Sequence, residues 1–270
     1  MLKRFMILFF AAAALLFSVR LHAQMGPGAG MPTPVKCAHC GEMKIPAAKA
    51  ENGAGQTVDL CYECAMLPRC AYCQMPFEVV SPGEDRLCRE CAKDTIKDKA
   101  EAEKVIKDVR QVLSTKFKLT TKHKISCEIG TRREINQEAD GEHLELGWFD
   151  SNPINGKPFY RIRILTGLPR DVFRAVAAHE LAHAWMTEYL PHLMDKDIIS
   201  EGFAEFVAWS FSQAEGLKRM TKYTENRTDD VYGGGFRKVR EMMGKAKTAP
   251  EWKSVLDKEY SLKPKKKSGR

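Results

Sequence analysis

Two histidines four residues apart, His179 and His183, flank a glutamate in the segment 178–185, which reads Ala-His-Glu-Leu-Ala-His-Ala-Trp. On a helix this spacing puts both imidazoles on one face, where they can grip one metal ion. Glu180 follows the first histidine and is the predicted general base, which would take a proton from a zinc-activated water as that water attacks a carbonyl. The pattern predicts a hydrolytic zinc site.

A third ligand must come from another part of the chain, and the segment 200–205 offers two carboxylates. Glu201 follows His183 after seventeen residues (184–200), which is enough for a turn and a returning helix. Glu205 lies one helical turn further on and would face the same way, so either carboxylate could bind the metal. We predict that Glu201 is the ligand and that Glu205 orients a ligand histidine.

Eight of the nine cysteines form four Cys-x-x-Cys pairs, and Cys127 stands alone. One such pair supplies two thiolates from one turn, and two pairs complete a tetrahedral zinc site. The pattern Cys-Ala-x-Cys, a spacer, then Leu-Cys-x-Glu-Cys-Ala occurs twice, which favours two structural zinc sites formed in sequence. The first would use Cys37, Cys40, Cys61 and Cys64, and the second Cys70, Cys73, Cys88 and Cys91.

Two alternatives to this assignment stay open. In an interleaved arrangement the first cysteine pair would share a zinc ion with the third. This arrangement would leave the repeat in the sequence unexplained. Disulfides are the other alternative, because an exported chain meets an oxidising compartment. Structural zinc is preferred, since it would supply folding free energy that so small a module cannot draw from a core.

The first 23 residues resemble a cleavable signal peptide. Lys3 and Arg4 precede an apolar run over residues 5–17, and Ala23 is a small residue that suits cleavage. The run is short for a membrane span, and an uncleaved anchor is the alternative. We therefore predict an exported protein, periplasmic or secreted, with no stable membrane span after cleavage.

The whole chain has 270 residues, of which 44% are apolar, and a formal net charge of +8. These values are typical of a folded protein with one sizeable domain and a smaller module. The predicted regions are a signal peptide at 1–23, a Gly/Pro linker at 24–34, a double-zinc module at 35–92, a larger domain at 93–260 and a basic tail at 261–270.

Within the larger domain, apolar periodicity predicts an α+β fold. A helix is expected from residue 93 to about 117, followed by strands at 125–129, 144–149 and 160–165. A helix over 172–188, with Asp171 as its N-cap, would carry the two histidines, and a helix over 200–214 would carry the third ligand. A glycine-rich turn at 232–236 would precede a helix at 237–243.

The zinc motif followed by Glu-Gly-Phe-Ala at 201–204 resembles the gluzincin clan of metallopeptidases, in particular the aminopeptidase N family. With Leu-Thr-Gly-Leu-Pro-Arg at 165–170 and Tyr-Gly-Gly-Gly-Phe-Arg at 232–237, the string resembles the LIM-linked zinc metallopeptidases known from plants as organ-size regulators. The resemblance covers residues 37 to about 245. It implies a LIM-like double-zinc module ahead of a gluzincin-type domain with a small sheet and a helical zinc-binding core.

This chain departs from the LIM pattern in two respects, because all eight expected ligands are cysteines and the gap between the halves has five residues (65–69). Two zinc ribbons in tandem are therefore the alternative to LIM-like packing. By the same resemblance Tyr232 would polarise the scissile carbonyl, and an edge strand at 160–165 would pair with an extended substrate. No element that would hold a free N-terminus is apparent, which favours an endopeptidase.

The predicted function is a zinc-dependent peptidase with one catalytic and two structural zinc ions. Its partners would be a protein or peptide substrate and a protein bound by the Cys-rich module. The alternative is a non-catalytic, zinc-scaffolded interaction protein, although the intact Glu180 speaks against it. Nucleic acid is not an expected partner, since the basic tail at 261–270 has no interleaved aromatic residues.

Overall fold

A computed structural model of the chain describes residues 5–6, 33–52, 56–73, 75–77, 87–135, 146–151 and 159–260. Apart from residues 5–6, the predicted signal peptide lies outside these ranges, as do the linker up to residue 32 and the tail from residue 261. The described residues form a mixed α+β structure with small sheets and helices.

In its described residues, the Cys-rich module has two short antiparallel ribbons and two short helices. Strands β2 (Val35–Lys36) and β3 (Met43–Lys44) form the first ribbon, and β4 (Ala48–Glu51) and β5 (Thr57–Leu60) form the second. Helix α1 (Tyr62–Ala65) begins directly after Cys61, and helix α2 (Arg89–Lys93) begins directly after Cys88. The two halves of the sequence repeat thus end in the same local structure.

Among the described residues, three strands of the larger domain form a sheet with β1 (Phe5–Met6), which lies within the predicted signal peptide. The order in this sheet is β1, β7 (Gly147–Asp150), β8 (Tyr160–Leu165) and β6 (Ile125–Gly130). Strand β8 is parallel to β6 and antiparallel to β7. Along β8, buried Tyr160, Ile162 and Ile164 alternate with half-buried arginines, which confirms the strand pattern expected from the sequence.

The expectation that residues 160–165 form an edge strand is wrong. Strand β8 is hydrogen-bonded on both sides, because the parallel strand β6 covers the side that β7 leaves open. Its backbone therefore has no free edge for a substrate. In the described sheet the two edge positions belong to β1 and β6.

The helix expected from residue 93 begins six residues later, at Lys99. Lys93 ends α2, and helix α3 (Lys99–Phe117) begins after Asp98, whose carboxylate caps it by accepting a hydrogen bond from Glu101 N at 2.9 Å. Between the two helices, Ile96 N donates to Leu168 O at 3.0 Å and Ile96 O accepts from Gly167 N at 2.7 Å. This pairing with another part of the chain keeps the segment out of the helix.

The two helices that carry the expected metal ligands are confirmed, with earlier starts. Helix α5 (Arg170–Tyr189) begins two residues before the expected Val172, and helix α6 (Asp197–Ala214) begins three residues before Ser200. The prediction that Asp171 caps α5 is wrong. Pro169 occupies the cap position, and Asp171 lies inside the first turn, where its carboxylate binds Arg219 instead.

The expected glycine-rich turn is instead helical. A π-helical turn (Asp230–Gly234) runs directly into α8 (Gly235–Met243), and Asp229 caps it by accepting from Tyr232 N at 2.7 Å. The glycines serve close packing: a Cβ on Gly202 of α6 would lie 2.7 Å from the Cα of Gly235. The missing side chains therefore let α8 approach α6 backbone to backbone.

Three further helices of the larger domain were not anticipated from the sequence: α4 (Arg132–Ile135), α7 (Lys218–Glu225) and α9 (Ala249–Tyr260). Helix α9 closes the core, because Trp252 packs edge-on against Phe203 of α6 with ring centroids 6.0 Å apart. A short 3₁₀ turn (Pro191–Leu193) joins α5 to α6. Among the helices in the described ranges, none combines the length and hydropathy that crossing a membrane requires.

Candidate metal centres

Helices α5 and α6 bring His179, His183 and Glu201 to one point. The Nε2 atoms of the histidines are 3.0 Å apart, and the Oε2 atom of Glu201 lies 3.2 Å from Nε2 of His179 and 3.4 Å from Nε2 of His183. The one-turn spacing on α5 places the imidazoles on the same face, and α6 supplies the carboxylate from the packed neighbouring helix. All three side chains are buried.

These separations fit a small tetrahedral metal ion. Nitrogen and oxygen ligands bound at ~2.1 Å in a tetrahedron lie about 3.4 Å from one another. The distances of 3.0, 3.2 and 3.4 Å are close to that value. The three side chains form a group that could hold a metal ion.

The charges of the cluster also suit a cation. Burial by itself would lower the pKa of His179, but hydrogen bonds and charges from Glu201 and Glu205 raise it to about 10. Burial lowers the pKa of His183, which favours the neutral imidazole that a metal ligand requires. Burial would raise the pKa of Glu201, yet the two histidines lower it to about 2. The carboxylate is therefore ionised, as a carboxylate that binds a metal ion must be.

The two carboxylates that were alternatives as third ligand face different atoms. Glu201 meets both Nε2 atoms, whereas the Oε1 atom of Glu205 lies 3.5 Å from Nδ1 of His179. Glu205 also accepts hydrogen bonds from Arg227 Nη1 at 3.0 Å and Thr224 Oγ1 at 3.3 Å. Within the described residues the metal-binding group therefore contains Glu201, and Glu205 lies behind His179.

Glu180, the predicted general base, is fully buried where α5 packs against strand β7. A Cβ on Gly147, the first residue of β7, would lie 2.6 Å from Oε1 of Glu180. The absence of a side chain at Gly147 thus leaves room for the carboxylate. Glu180 lies between His179 and Leu181 in the chain. The predicted base and the first expected ligand, His179, therefore share one turn of helix.

Tyr232 also comes to the cluster, although it lies 53 positions after His179 in the chain (232 − 179). The centroids of the two rings are 6.5 Å apart, and the tyrosine is buried. Its ring is covered by the guanidinium of Arg227, whose Cζ lies 4.1 Å from the ring centroid. The structure therefore brings the predicted tyrosine to the same cluster as the expected metal ligands.

The cysteines form two groups in sequential order, and the interleaved arrangement does not occur. All nine cysteines are free, so the disulfide alternative is not what the structure shows. The Sγ atoms of Cys40 and Cys61 are 4.0 Å apart, and those of Cys73 and Cys88 are 3.6 Å apart. Four thiolates bound at ~2.3 Å in a tetrahedron lie about 3.8 Å apart, which these distances match.

The two cysteine groups repeat one pattern of hydrogen bonds. Cys61 N donates to Cys37 Sγ and Cys88 N donates to Cys70 Sγ, both at 3.4 Å. Burial would raise the pKa of Cys37, but backbone donors led by Cys61 N lower it to about 6. Hydrogen bonds from Cys73 and Cys91 likewise bring the pKa of Cys70 far below its ordinary value. In each half, the equivalent backbone N–H group thus stabilises the thiolate form of the first cysteine.

Sequence reasoning did not anticipate the polar residues around the histidine site. Thr224, Arg227 and Asp229 all contact site residues or their supports. Asp229 alone carried a signal, because an aspartate three residues before Tyr232 fits an N-cap. No protein-family model, curated protein or solved structure matches the chain.

Proposed function

We propose that the protein is a zinc-dependent peptidase that cleaves internal peptide bonds of protein or peptide substrates. The observation that carries this proposal is the convergence of His179, His183 and Glu201 at tetrahedral spacing, with Glu180 beside the first ligand. A zinc ion at this site would polarise a carbonyl oxygen and lower the pKa of bound water to about 7.

The chain's own residues would divide the remaining work. Glu180 would accept a proton from the attacking water and return it to the leaving amine, and its burial keeps competing solvent away. Tyr232 would donate a hydrogen bond to the oxygen on which negative charge develops. Glu205 would hold the Nδ1 side of His179, so that Nε2 faces the metal.

The arrangement supports the proposed kinship with gluzincins and with the LIM-linked peptidases. The third ligand comes from the helix that follows the two histidines, as the resemblance implies, and a Cys-rich module precedes the domain. We propose that each cysteine group, with eight thiols in the two groups together, binds one structural zinc ion. Zinc binding would supply folding free energy that so small a module lacks without the metal. Export of the chain is part of the same proposal.

The Cys-rich module is proposed to bind a protein partner. Its first half exposes large apolar side chains, with Met43 and Tyr62 each 66% exposed and Met66 70% exposed. Exposed apolar groups of this size on a small module favour contact with another protein. The same observation supports the alternative function, a zinc-scaffolded interaction protein without catalysis.

Cleavage by the wild-type protein compared with Glu180→Gln separates the two functions. Both purified proteins would be loaded with zinc and incubated with a proteome-derived protein mixture, and new termini would be identified by mass spectrometry. A peptidase gives internal cleavage products with the wild type and none with the variant, while zinc content stays equal. Identical products from both proteins would exclude Glu180 as the base, and no products from either would favour the interaction protein.

A further inference from the structure

Arg227 is a buried arginine that lies between the two sides of the histidine site. Its exposed fraction is 7%, and it occupies the connection between α7 and the π-helical turn. A buried guanidinium is costly unless carboxylates and hydrogen bonds surround it. The contacts of Arg227 on its two sides therefore indicate its role in the site.

On one side, Arg227 supports the residue behind the first metal ligand. Its Nη1 atom donates to Oε1 of Glu205 at 3.0 Å, and that same Oε1 atom lies 3.5 Å from Nδ1 of His179. The guanidinium therefore fixes the carboxylate that faces the ligand histidine. Groups in this position commonly set the orientation of a ligand and its affinity for the metal.

On the other side, Arg227 reaches Tyr232 by two routes. Its Cζ atom lies 4.1 Å from the centroid of the Tyr232 ring, a close cation–π contact. Its Nε atom donates to Oδ2 of Asp229 at 2.7 Å, and Oδ1 of Asp229 accepts from Tyr232 N at 2.7 Å. The ring and the backbone of Tyr232 are thus both positioned by one side chain.

The backbone of Arg227 is itself fixed. Arg237 of α8 donates from Nη1 to the carbonyl oxygen of Arg227 at 2.6 Å. A Cβ on Gly233 would lie 3.2 Å from the Cβ of Arg227, so that the π-helical turn packs directly on this residue. These two contacts therefore fix the backbone position from which the guanidinium extends.

We propose, on the basis of the peptidase function proposed above, that Arg227 is a positioning residue that links His179, through Glu205, with Tyr232. The planar guanidinium uses its edge for Glu205 and Asp229 and its face for the tyrosine ring. A positive charge over the ring favours negative charge on the phenol oxygen, which makes the hydroxyl a stronger donor to an oxyanion. One side chain would thus set both metal affinity and transition-state stabilisation.

Replacing Arg227 by methionine or by lysine separates its effect on metal affinity from its effect on transition-state stabilisation. Arg227→Met removes the charge while it keeps much of the volume. Arg227→Lys keeps a positive charge for Glu205 but loses the planar fork and the stacking face. Arg240→Met is the matched control, since Arg240 also stacks on a ring, that of Trp209 at 4.5 Å, and pairs with Glu225 at 3.8 Å.

The measurements are zinc affinity by chelator competition, kcat and KM on a peptide substrate, and thermal unfolding. For Arg227→Met we expect zinc affinity about 10–100-fold weaker and kcat about 10–100-fold lower, with KM within about twofold. For Arg227→Lys we expect zinc affinity within about fivefold of the wild type and a kcat as low as that of the methionine variant. Arg240→Met should leave all values near the wild type.

Two results would overturn the proposal. One is a methionine variant with wild-type zinc affinity and kcat. The other is a lysine variant in which zinc affinity, kcat and unfolding temperature fall together, which indicates a general structural role. If Arg227→Met does not fold, the lysine variant alone decides between these outcomes. If the wild type binds zinc but cleaves nothing, the peptidase proposal fails, and the zinc-affinity comparison still tests the link through Glu205.

Discussion

Arg219 donates a hydrogen bond from Nη1 to the Sγ atom of Cys91 at 3.4 Å, and from Nε to Oδ2 of Asp171 at 3.0 Å. Cys91 belongs to the second cysteine group, and Asp171 lies in the first turn of α5, the helix that carries His179. Close to this contact, Arg170 of α5 donates to Asp94, which lies two residues after the end of the module, at 2.8 Å. A proposed metal ligand of the module is therefore tied to the helix of the proposed catalytic site.

We predict that Arg219→Met weakens the second cysteine group more than the first. The loss of a donor to a thiolate and to a half-buried carboxylate should lower the free energy of unfolding by about 1–3 kcal/mol. Zinc release to a chelator should become biphasic, with one ion per chain released faster. Arg89→Met is the control, because Arg89 lies in the same half and is exposed. Release curves that coincide for Arg219→Met and Arg89→Met would contradict the link.

A double-mutant cycle with Asp171→Asn tests the connection to α5. The two side chains are in direct contact, and contacting pairs show coupling energies of about 0.5–3 kcal/mol. The unfolding free energies of the two single variants should therefore not add in the double variant. Additive values would show that Arg219 acts on the cysteine group alone.

The metal groups could be predicted because metal ligation imposes short, regular spacings. His179 and His183 on one helical face, and a cysteine repeat with Cys-x-x-Cys turns, are local patterns that the sequence displays directly. The sequential grouping followed from the repeat. Spacing alone allows either Glu201 or Glu205, since one turn of helix separates them, and the packing of α6 on α5 shows that Glu201, the predicted ligand, meets Nε2.

The residues that support the site depend on contacts far apart in the chain. Arg227 and Glu205 are 22 residues apart, and Arg219 and Cys91 are 128 residues apart. No periodicity connects such positions. The position of β8 between two strands likewise depends on which strand crosses over to pair with it, and the π-helical turn at Tyr232 depends on the close approach of α8 to α6.

We predict about three zinc ions per chain in the purified protein, one in each of the three groups. Variants with one group disabled, Cys61→Ser with Cys64→Ser or His183→Ala, should each retain about two. Elemental analysis together with thiol titration gives both numbers on one sample. Protein that is folded and free of metal, with its paired cysteines oxidised, would contradict the zinc assignment of the module.

We predict that Glu188 stabilises the fold in a pH-dependent way. Burial would raise the pKa of Glu188, but the N–H groups of Lys122 and His123 and the His123 ring lower it below its ordinary value. Because the folded pKa is depressed, the stabilisation is present above the unfolded value of about 4.3 and is lost as the pH falls through the folded value. Glu188→Gln should therefore cost about 1–3 kcal/mol at pH 7 and progressively less below about pH 4.

Urea unfolding of Glu188→Gln and the wild type at each pH checks this prediction. The comparison is made between the two proteins, so that loss of metal at low pH, which affects both, largely cancels. Glu103→Gln is a suitable control, since Glu103 is 55% exposed and pairs with Lys99 only at 3.9 Å on the helix surface. A cost for Glu188→Gln that stays constant from pH 7 to pH 3 would exclude the depressed carboxyl as its cause.

Gly202 and Gly234 are predicted to respond oppositely to alanine. Gly202 follows the ligand Glu201 inside α6, and an added Cβ would lie 2.7 Å from the Cα of Gly235, so that α8 must move away. Alanine normally stabilises a helix by about 1 kcal/mol relative to glycine, but the overpacking here should give a net loss of about 1–3 kcal/mol. At Gly234 the nearest atom to an added Cβ is Asp229 O at 3.6 Å and φ is −65°, so alanine fits.

Urea unfolding of both variants, saturated with zinc, should show Gly202→Ala less stable and Gly234→Ala as stable as the wild type or more so. Equal stabilities would mean that α6 and α8 do not depend on direct backbone contact beside the metal ligand.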